Sequence, residues 1–361
     1  MKILSINGRL EGHGRYGVTR VATELTSELM AQGHDVHTLS FESAERPHPF
    51  AGYNEHIHSV LLGLTAIERL EKIWDESGPF DSILAWDWAA GLVGSIAKRV
   101  HGTPLVAWMH GTEVGRQIGR LTAEEHYASE MERWLCERAD RILVPSEFAK
   151  RDVSAHYDVP TTKLAVIPTG ARLATFSASV DLEEFRAIFA EPSQPLILFA
   201  GEFLPSKGAD VFADSVAMVL DRLPKARFVA AGDGAMRGDV AERSRGLVRL
   251  VGEVSEPVLG ALYQAADLLV IPSRYEVSGL SVLEARLHGL PVVATRAGAL
   301  EELPDTFFAA ELVGWENPFA LAHAIAQGYH RGAKQKPADD AVPADFRWPS
   351  IAKRAAELLA V

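Results

Sequence analysis

Glu276 and Glu284 lie eight positions apart on either side of Gly279, in the run Pro272-Ser273-Arg274-Tyr275-Glu276-Val277-Ser278-Gly279-Leu280-Ser281-Val282-Leu283-Glu284-Ala285. The apolar stretch Leu268 to Ile271 comes first, so Glu276 belongs to a loop leaving a strand and Glu284 to the opening turns of the next helix. A helix start offers free backbone N–H groups and the positive end of the helix dipole, a seat for a phosphate around Gly279 and Leu280. A carboxylate on each side can accept hydrogen bonds from sugar or ribose hydroxyls. Upstream, Gly201-Glu202-Phe203-Leu204-Pro205-Ser206-Lys207-Gly208 also leaves a strand and enters a helix, the one carrying Phe212, Val216 and Val219. Lys207 in that turn is placed to neutralise a phosphate, against the commoner alternative of a solvated surface lysine. Gly232-Asp233-Gly234, after Phe228 to Ala231, is a further glycine turn at a strand end and lines the same inferred edge.

The first half of the chain carries a second group. In Trp108-Met109-His110-Gly111-Thr112-Glu113-Val114-Gly115-Arg116 the histidine follows a strand, with a glycine, Glu113 and Arg116 close by. That setting favours a binding role for His110 over a purely structural one. Asp87, between Trp86 and Trp88, is a second candidate for such a site, although its position before a helix makes capping the better reading. Gly12-His13-Gly14-Arg15-Tyr16-Gly17 matches G-x-G-x-x-G ahead of a helix. The preceding strand ends near Asn7, several residues early, and no acidic residue is well placed about 20 positions on, so a dinucleotide fingerprint is disfavoured. The glycines still allow a ligand to approach the backbone around Gly14.

These groups need strands and helices to hold them, and the pattern of apolar runs supplies both. Strands are expected at Lys2–Asn7, Val36–Phe41, Ser82–Trp86, Pro104–Met109, Arg141–Pro145 and Leu164–Ile167. A second set runs Leu196–Ala200, Arg227–Ala231, Val248–Val251, Leu268–Ile271 and Val292–Ala294. Helix-spaced segments such as Val18, Val21, Ala22, Leu25 and Leu29 separate them, which is the signature of β-α-β units and parallel sheets. The expected fold is therefore α/β, with two Rossmann-like doubly wound domains, 1–175 and 176–348, facing across a cleft into which strand carboxyl ends open. Residues 331–348 read as a loop, and Ile351–Leu359 as a closing helix.

The chain has 361 residues with 36 basic against 48 acidic side chains, a net charge of −12. That balance argues against a general nucleic-acid binder, whose partner demands a basic face. A single cysteine, Cys136, rules out an internal disulfide and fits a reducing compartment. No apolar run suits a signal peptide or a transmembrane helix, so a cytoplasmic, soluble protein is expected. Oligomeric state is not encoded legibly.

Taken together, the glycine-rich loop after the first strand, Val166-Ile167-Pro168-Thr169-Gly170, Lys207-Gly208, Gly232-Asp233-Gly234 and Glu276…Glu284 resemble the retaining glycosyltransferases of the two-Rossmann-domain (GT-B) architecture, specifically glycosyltransferase family 4. The likeness spans nearly the whole chain, and the Glu276…Glu284 element is its most specific part. The resemblance implies transfer of a hexose from a nucleotide-diphosphate sugar to an acceptor hydroxyl, with no metal or other cofactor. It implies that His110, Lys207 and Glu276 are catalytic, with His110 beside the transferred sugar, Lys207 on the leaving diphosphate and Glu276 on the sugar. Gly14, Gly232, Gly279, Leu280 and Glu284 would bind the donor, Glu284 through its ribose. Asp87, Glu113 and Arg116 would lie near the acceptor or sugar, and a C-terminal helix, 349–361, would pack back on the first domain. Two departures stand out: Glu202 replaces the family's usual arginine, leaving Arg15, Arg172 or Arg274 to compensate, and Ser278 replaces a bulkier residue. Glu202 keeps two alternatives open, a glycoside phosphorylase on the same scaffold and a non-catalytic sugar-nucleotide binder.

Overall fold

A computed structural model describes residues 1–8, 16–41, 55–172 and 181–360. They form two compact units, one of residues 1–170 with 348–361 and one of residues 171–347. The first unit runs β1 (Lys2–Gly8), α1 (Tyr16–Ala31), β2 (Asp35–Phe41), α2 (Glu55–Ser77), β3 (Ser82–Trp86), α3 (Asp87–His101), β4 (Leu105–Trp108), α4 (Glu113–Arg116), α5 (Ala123–Arg138), β5 (Arg141–Val144), α6 (Glu147–Tyr157) and β6 (Leu164–Val166). The second runs α7 (Leu182–Ala187), β7 (Leu196–Ala200), α8 (Ala209–Leu220), β8 (Arg227–Ala231), α9 (Arg237–Arg243), β9 (Val248–Gly252), α10 (Glu256–Ala265), β10 (Leu268–Ile271), α11 (Leu280–Leu287), β11 (Val292–Ala294) and α12 (Pro318–Arg331). A last helix, α13 (Trp348–Leu359), returns to the first unit.

Both sheets are parallel throughout, with strand orders β2-β1-β3-β4-β5-β6 and β11-β10-β7-β8-β9. The direction of winding reverses once in each, between β1 and β3 in the first and between β7 and β10 in the second. At such a reversal the loops leaving the two central strands diverge to opposite faces and open a crevice at their carboxyl ends. In the second unit, odd and even strand positions feed separate cores. Leu196, Leu198, Leu269 and Val292 pack with Tyr263 of α10 and Leu283 of α11 on one face. Ile197, Phe199, Val270 and Val293 pack with Phe212 of α8 and Ile325 of α12 on the other. Strands covered on both faces must be apolar at every position, which is why these runs lack alternation. β3 is the corresponding case in the first unit, buried from end to end.

In the first unit α13 buries Trp348, Ile351, Ala352, Ala355 and Leu359, spaced as one helical stripe. It lies against α1, where Gln32 Nε2 donates to the Pro349 carbonyl at 2.9 Å. Arg141 Nη1 donates to the Leu358 carbonyl at 2.6 Å and so closes the end of this helix. The chain crosses from one unit to the other at 170/171 and back at 347/348. Residues at the two ends of the second unit meet: the Ala171 N–H donates to the Phe346 carbonyl at 2.9 Å, and Ala171 pairs with Arg347 in a parallel bridge.

Candidate functional site

In the second unit, the expected donor residues gather at the β7/β10 reversal. After β7 the chain makes a short 3-10 turn, Pro205–Lys207, which ends on Gly208 at φ 66°. A Cβ on Gly208 would sit 1.9 Å from the Pro272 carbonyl oxygen, so only glycine lets this turn press against the loop leaving β10. The backbone N–H groups of Arg274 and Tyr275 both reach the Ser206 carbonyl, at 2.8 and 3.1 Å, and tie the two loops together. Across that seam Lys207 Nζ donates to Glu276 Oε2 at 2.8 Å. Glu276 is fixed further by its own carbonyl, which accepts from the Ala299 N–H at 2.8 Å. Ser273 Oγ stands 3.5 Å from the same carboxylate oxygen as Lys207.

Gly201, Lys207, Pro272, Ser273, Glu276 and Ser281 line a small pocket that opens to solvent. Burial pulls the Lys207 ammonium toward its neutral form, but the Glu276 carboxylate, its hydrogen bond and the nearby Glu202 outweigh that and raise the pKa. Lys207 is therefore a firmly charged cation facing an open cavity. The Gly232 turn joins the same edge: a Cβ there would lie 2.0 Å from the Gly201 carbonyl.

Gly279 takes a left-handed φ of 66° and starts α11, whose first residue is Leu280. The Leu280 N–H points to Ser278 Oγ at 3.4 Å, so the serine in place of a bulky side chain gives the helix start a weak internal acceptor. Glu284 is buried on α11, its Oε2 accepting from the Tyr263 hydroxyl of α10 at 3.1 Å. Arg274 does not offset Glu202. Both its terminal nitrogens engage the Asp210 carboxylate, at 2.8 and 2.7 Å, a fork-to-fork pair that fixes the guanidinium on α8. Arg15, like Gly14, lies outside the described residues, and Arg172 is exposed.

The first unit holds its candidates at the β3 and β4 carboxyl ends, beside the other reversal. Trp86 and Trp108 are register partners, stacked at 4.9 Å, with Trp86 Nε1 donating to Ser5 Oγ of β1 at 3.1 Å. The His110 ring stacks beyond both, at 5.8 and 6.1 Å. The capping expectation for Asp87 fails. Asp87 has φ 56° and turns its carboxylate away from α3 toward β4, where Oδ1 accepts the His110 N–H at 2.9 Å and Oδ2 lies 3.4 Å from His110 Nδ1. Burial alone would raise the Asp87 pKa, but the adjacent His110 and the charge of Arg116 prevail and lower it. Asp87 thus orients the histidine rather than the helix.

Glu113 and Arg116 sit on the single turn α4, capped by Thr112, whose hydroxyl accepts from the Gly115 N–H at 3.0 Å and donates to Asp152 at 2.8 Å. Arg116 forks onto Glu113, with Nε and Nη2 at 3.0 and 2.8 Å, and also bonds Glu132 of α5. Glu132 is 1% exposed, accepts the Glu113 N–H at 2.7 Å, and takes a further bond from the Tyr157 hydroxyl of α6. Burial raises the Glu132 pKa against the pull of Arg116. Nothing in the local sequence marks Glu132, Tyr157 or Tyr263, since each acts through a partner distant in the chain. Thr112, three residues before Gly115, carries a capping signal that sequence could have used.

Each unit matches a family model: residues 16–175 match Glycosyltransferase Family 4 and residues 194–330 match Glycosyl transferases group 1. An uncharacterized glycosyltransferase of Methanocaldococcus jannaschii is 28% identical over 321 residues, 83% of this chain and 82% of its own length. A D-inositol 3-phosphate glycosyltransferase of Pseudarthrobacter chlorophenolicus is 28% identical over 316 residues, 79% of this chain and 75% of its own. Sucrose-phosphate synthase from Thermosynechococcus elongatus has the same fold, with a TM-score of 0.77 at 21% identity over 99% of this chain and 98% of that one. Anabaena HepE, solved with UDP-glucose, gives 0.72 at 17% over 100% and 99%. The two models together span most of the sequence, and the chain is a GT-B glycosyltransferase belonging to glycosyltransferase family 4.

Proposed function

We propose that this enzyme moves a hexose from a nucleotide-diphosphate sugar to an acceptor hydroxyl, with retention at the anomeric carbon and without a metal ion. The observation that carries the reading is the Lys207–Glu276 pair at 2.8 Å across the β7/β10 reversal, with α11 starting beside it and Glu284 in that helix. Cleaving a sugar–phosphate C–O bond places positive charge on the sugar ring and negative charge on the departing phosphate. Lys207 and the N–H groups around Gly279 and Leu280 would meet the second charge, and Glu276 the sugar. Fixed donors aimed at developing charge are the largest single source of such catalysis, each worth about 10²–10³ in rate. The Lys207 cation takes the place a metal would have at the diphosphate, and family membership supports retention.

His110, oriented by Asp87, would stand by the transferred sugar, with Glu113 and Arg116 toward the acceptor. Gly14 and Gly232 would contact the donor through their backbone, and Glu284 its ribose. The HepE structure with UDP-glucose supports a nucleotide-sugar donor, and the D-inositol 3-phosphate enzymes support a hydroxyl acceptor.

Thermal unfolding with UDP, GDP, ADP and inorganic phosphate tests the reading, with Glu284→Ala as control and transfer then assayed with and without EDTA. A nucleotide at about 100 times its dissociation constant adds about 2.7 kcal/mol. We expect a shift with one nucleotide, lost in the control, and transfer unchanged by EDTA. A shift with inorganic phosphate alone points instead to phosphorolysis, and transfer abolished by EDTA overturns the metal-free part.

A further inference from the structure

We infer that Tyr263 is a positioning residue for the donor site: its hydroxyl fixes the Glu284 carboxylate in the orientation that receives the donor ribose. The inference rests on the reading above that Glu284 binds ribose. Glu284 lies on α11, and a carboxylate on a helix keeps rotational freedom about its last bonds unless something pins it. Tyr263 comes from the neighbouring helix α10, and its hydroxyl donates to Glu284 Oε2 at 3.1 Å.

Three features make that bond a fixed support. Tyr263 is 2% exposed and packs in the same core as Leu283 and Leu287 of α11, so its ring cannot swing away. His288, one turn beyond Glu284, sets its ring 5.3 Å from the Tyr263 ring at 45°. His288 is itself tied down, because Nδ1–H donates to the Glu284 carbonyl at 2.8 Å. The glutamate backbone, the histidine and the tyrosine thus form a closed loop that ends on the glutamate's own carboxylate. A phenol donating to a carboxylate is a charge-assisted bond, directional and stronger than a neutral one. An ionised carboxylate has about four acceptor positions, so pinning one oxygen leaves capacity for ligand hydroxyls.

Tyr263→Phe removes only the hydroxyl and keeps the ring in the core. Binding of UDP, GDP and ADP is measured by calorimetry to wild type, Tyr263→Phe and Glu284→Ala, together with the 2′,3′-dideoxy counterpart of whichever binds. We expect Tyr263→Phe to weaken the ribonucleotide about tenfold, the scale of one hydrogen bond to a charged group. The dideoxy compound should bind Tyr263→Phe and wild type alike, which a general loosening of the core would not produce. Equal weakening toward both compounds overturns the inference, as does unchanged binding in Tyr263→Phe when Glu284→Ala is weakened. If Glu284→Ala leaves ribonucleotide binding intact, or no nucleotide binds, the ribose assignment fails and takes this inference with it.

Discussion

Replacing Lys207 with methionine keeps most of the side-chain length and deletes the charge. The Lys207 side chain is 31% exposed and that of Glu276 is 10% exposed, so their pair lies between the surface and buried regimes. Exposed pairs contribute about 0–1 kcal/mol, and removing one partner of a buried pair costs about 3–5 kcal/mol. The expected stability loss is therefore about 1–3 kcal/mol, a fall in Tm of about 2–12 °C for a unit of this size. The effect on rate is larger, because the cation faces the pocket as well as Glu276. Loss of one preorganised donor to developing charge lowers kcat by about 10²–10³. A second substitution separates the two effects: in Lys207→Met/Glu276→Gln the pair leaves neither charge behind, so part of the lost stability returns while activity stays low. Circular dichroism melts give the first quantity, and nucleoside diphosphate release in the presence of acceptor gives the second. A kcat reduced less than tenfold in folded Lys207→Met refutes the reasoning, and so does a double variant no more stable than the single one.

Three further outcomes follow from the other contacts. Asp87 has a lowered carboxyl pKa, so its contribution to stability is present above the unfolded value of about 3.9 and is lost as pH falls through the folded value. Melts of wild type and Asp87→Asn between about pH 6 and pH 2 should converge on acidification, and parallel curves would contradict this. Glu132→Ala removes the buried acceptor shared by Arg116, the Glu113 N–H and the Tyr157 hydroxyl and should cost about 3–5 kcal/mol, whereas Tyr157→Phe should cost about 1 kcal/mol in urea titrations. Equal losses would show that Glu132 is not the hub of that cluster. Gly208→Ala must bear about 1–2 kcal/mol of left-handed backbone strain and also clear the Pro272 carbonyl at 1.9 Å. It should depress both melting temperature and transfer, and a silent variant would mean that the two loops are not in fixed contact.

Period and polarity located the strands well because a parallel strand covered on both faces has no choice but continuous apolar residues. Among the described residues, each end of the eleven strands falls within one residue of the expected position, as Val36 against Asp35 or Ile167 against Val166 illustrates. The Lys207 and Glu276 loops were legible for a related reason, since glycines and a proline must punctuate a strand end. What pattern could not convey is where a side chain points. Asp87 looked like a cap because of its place before α3, yet its left-handed backbone sends the carboxylate to His110 in the loop after β4. Arg274 looked available to a ligand, and Asp210, 64 residues away, holds it. Glu132 and Tyr263 were invisible because their partners lie 16 to 25 and 21 residues away, on other elements.

The meeting of Ala171 with Phe346 and Arg347 has a genealogical consequence. Residues 171–347 leave the first unit and re-enter it through ends only 2.9 Å apart at their hydrogen bond. A segment with this arrangement is a cassette: it can be lifted out and another spliced in without rethreading either sheet. Recombination at these two junctions exchanges an entire α/β unit in one event, so the halves of such a chain can have separate ancestries. Trees built from residues 171–347 and from the remainder need not agree, and chimaeras joined at 170/171 and 347/348 are the natural way to breed new pairings of the two.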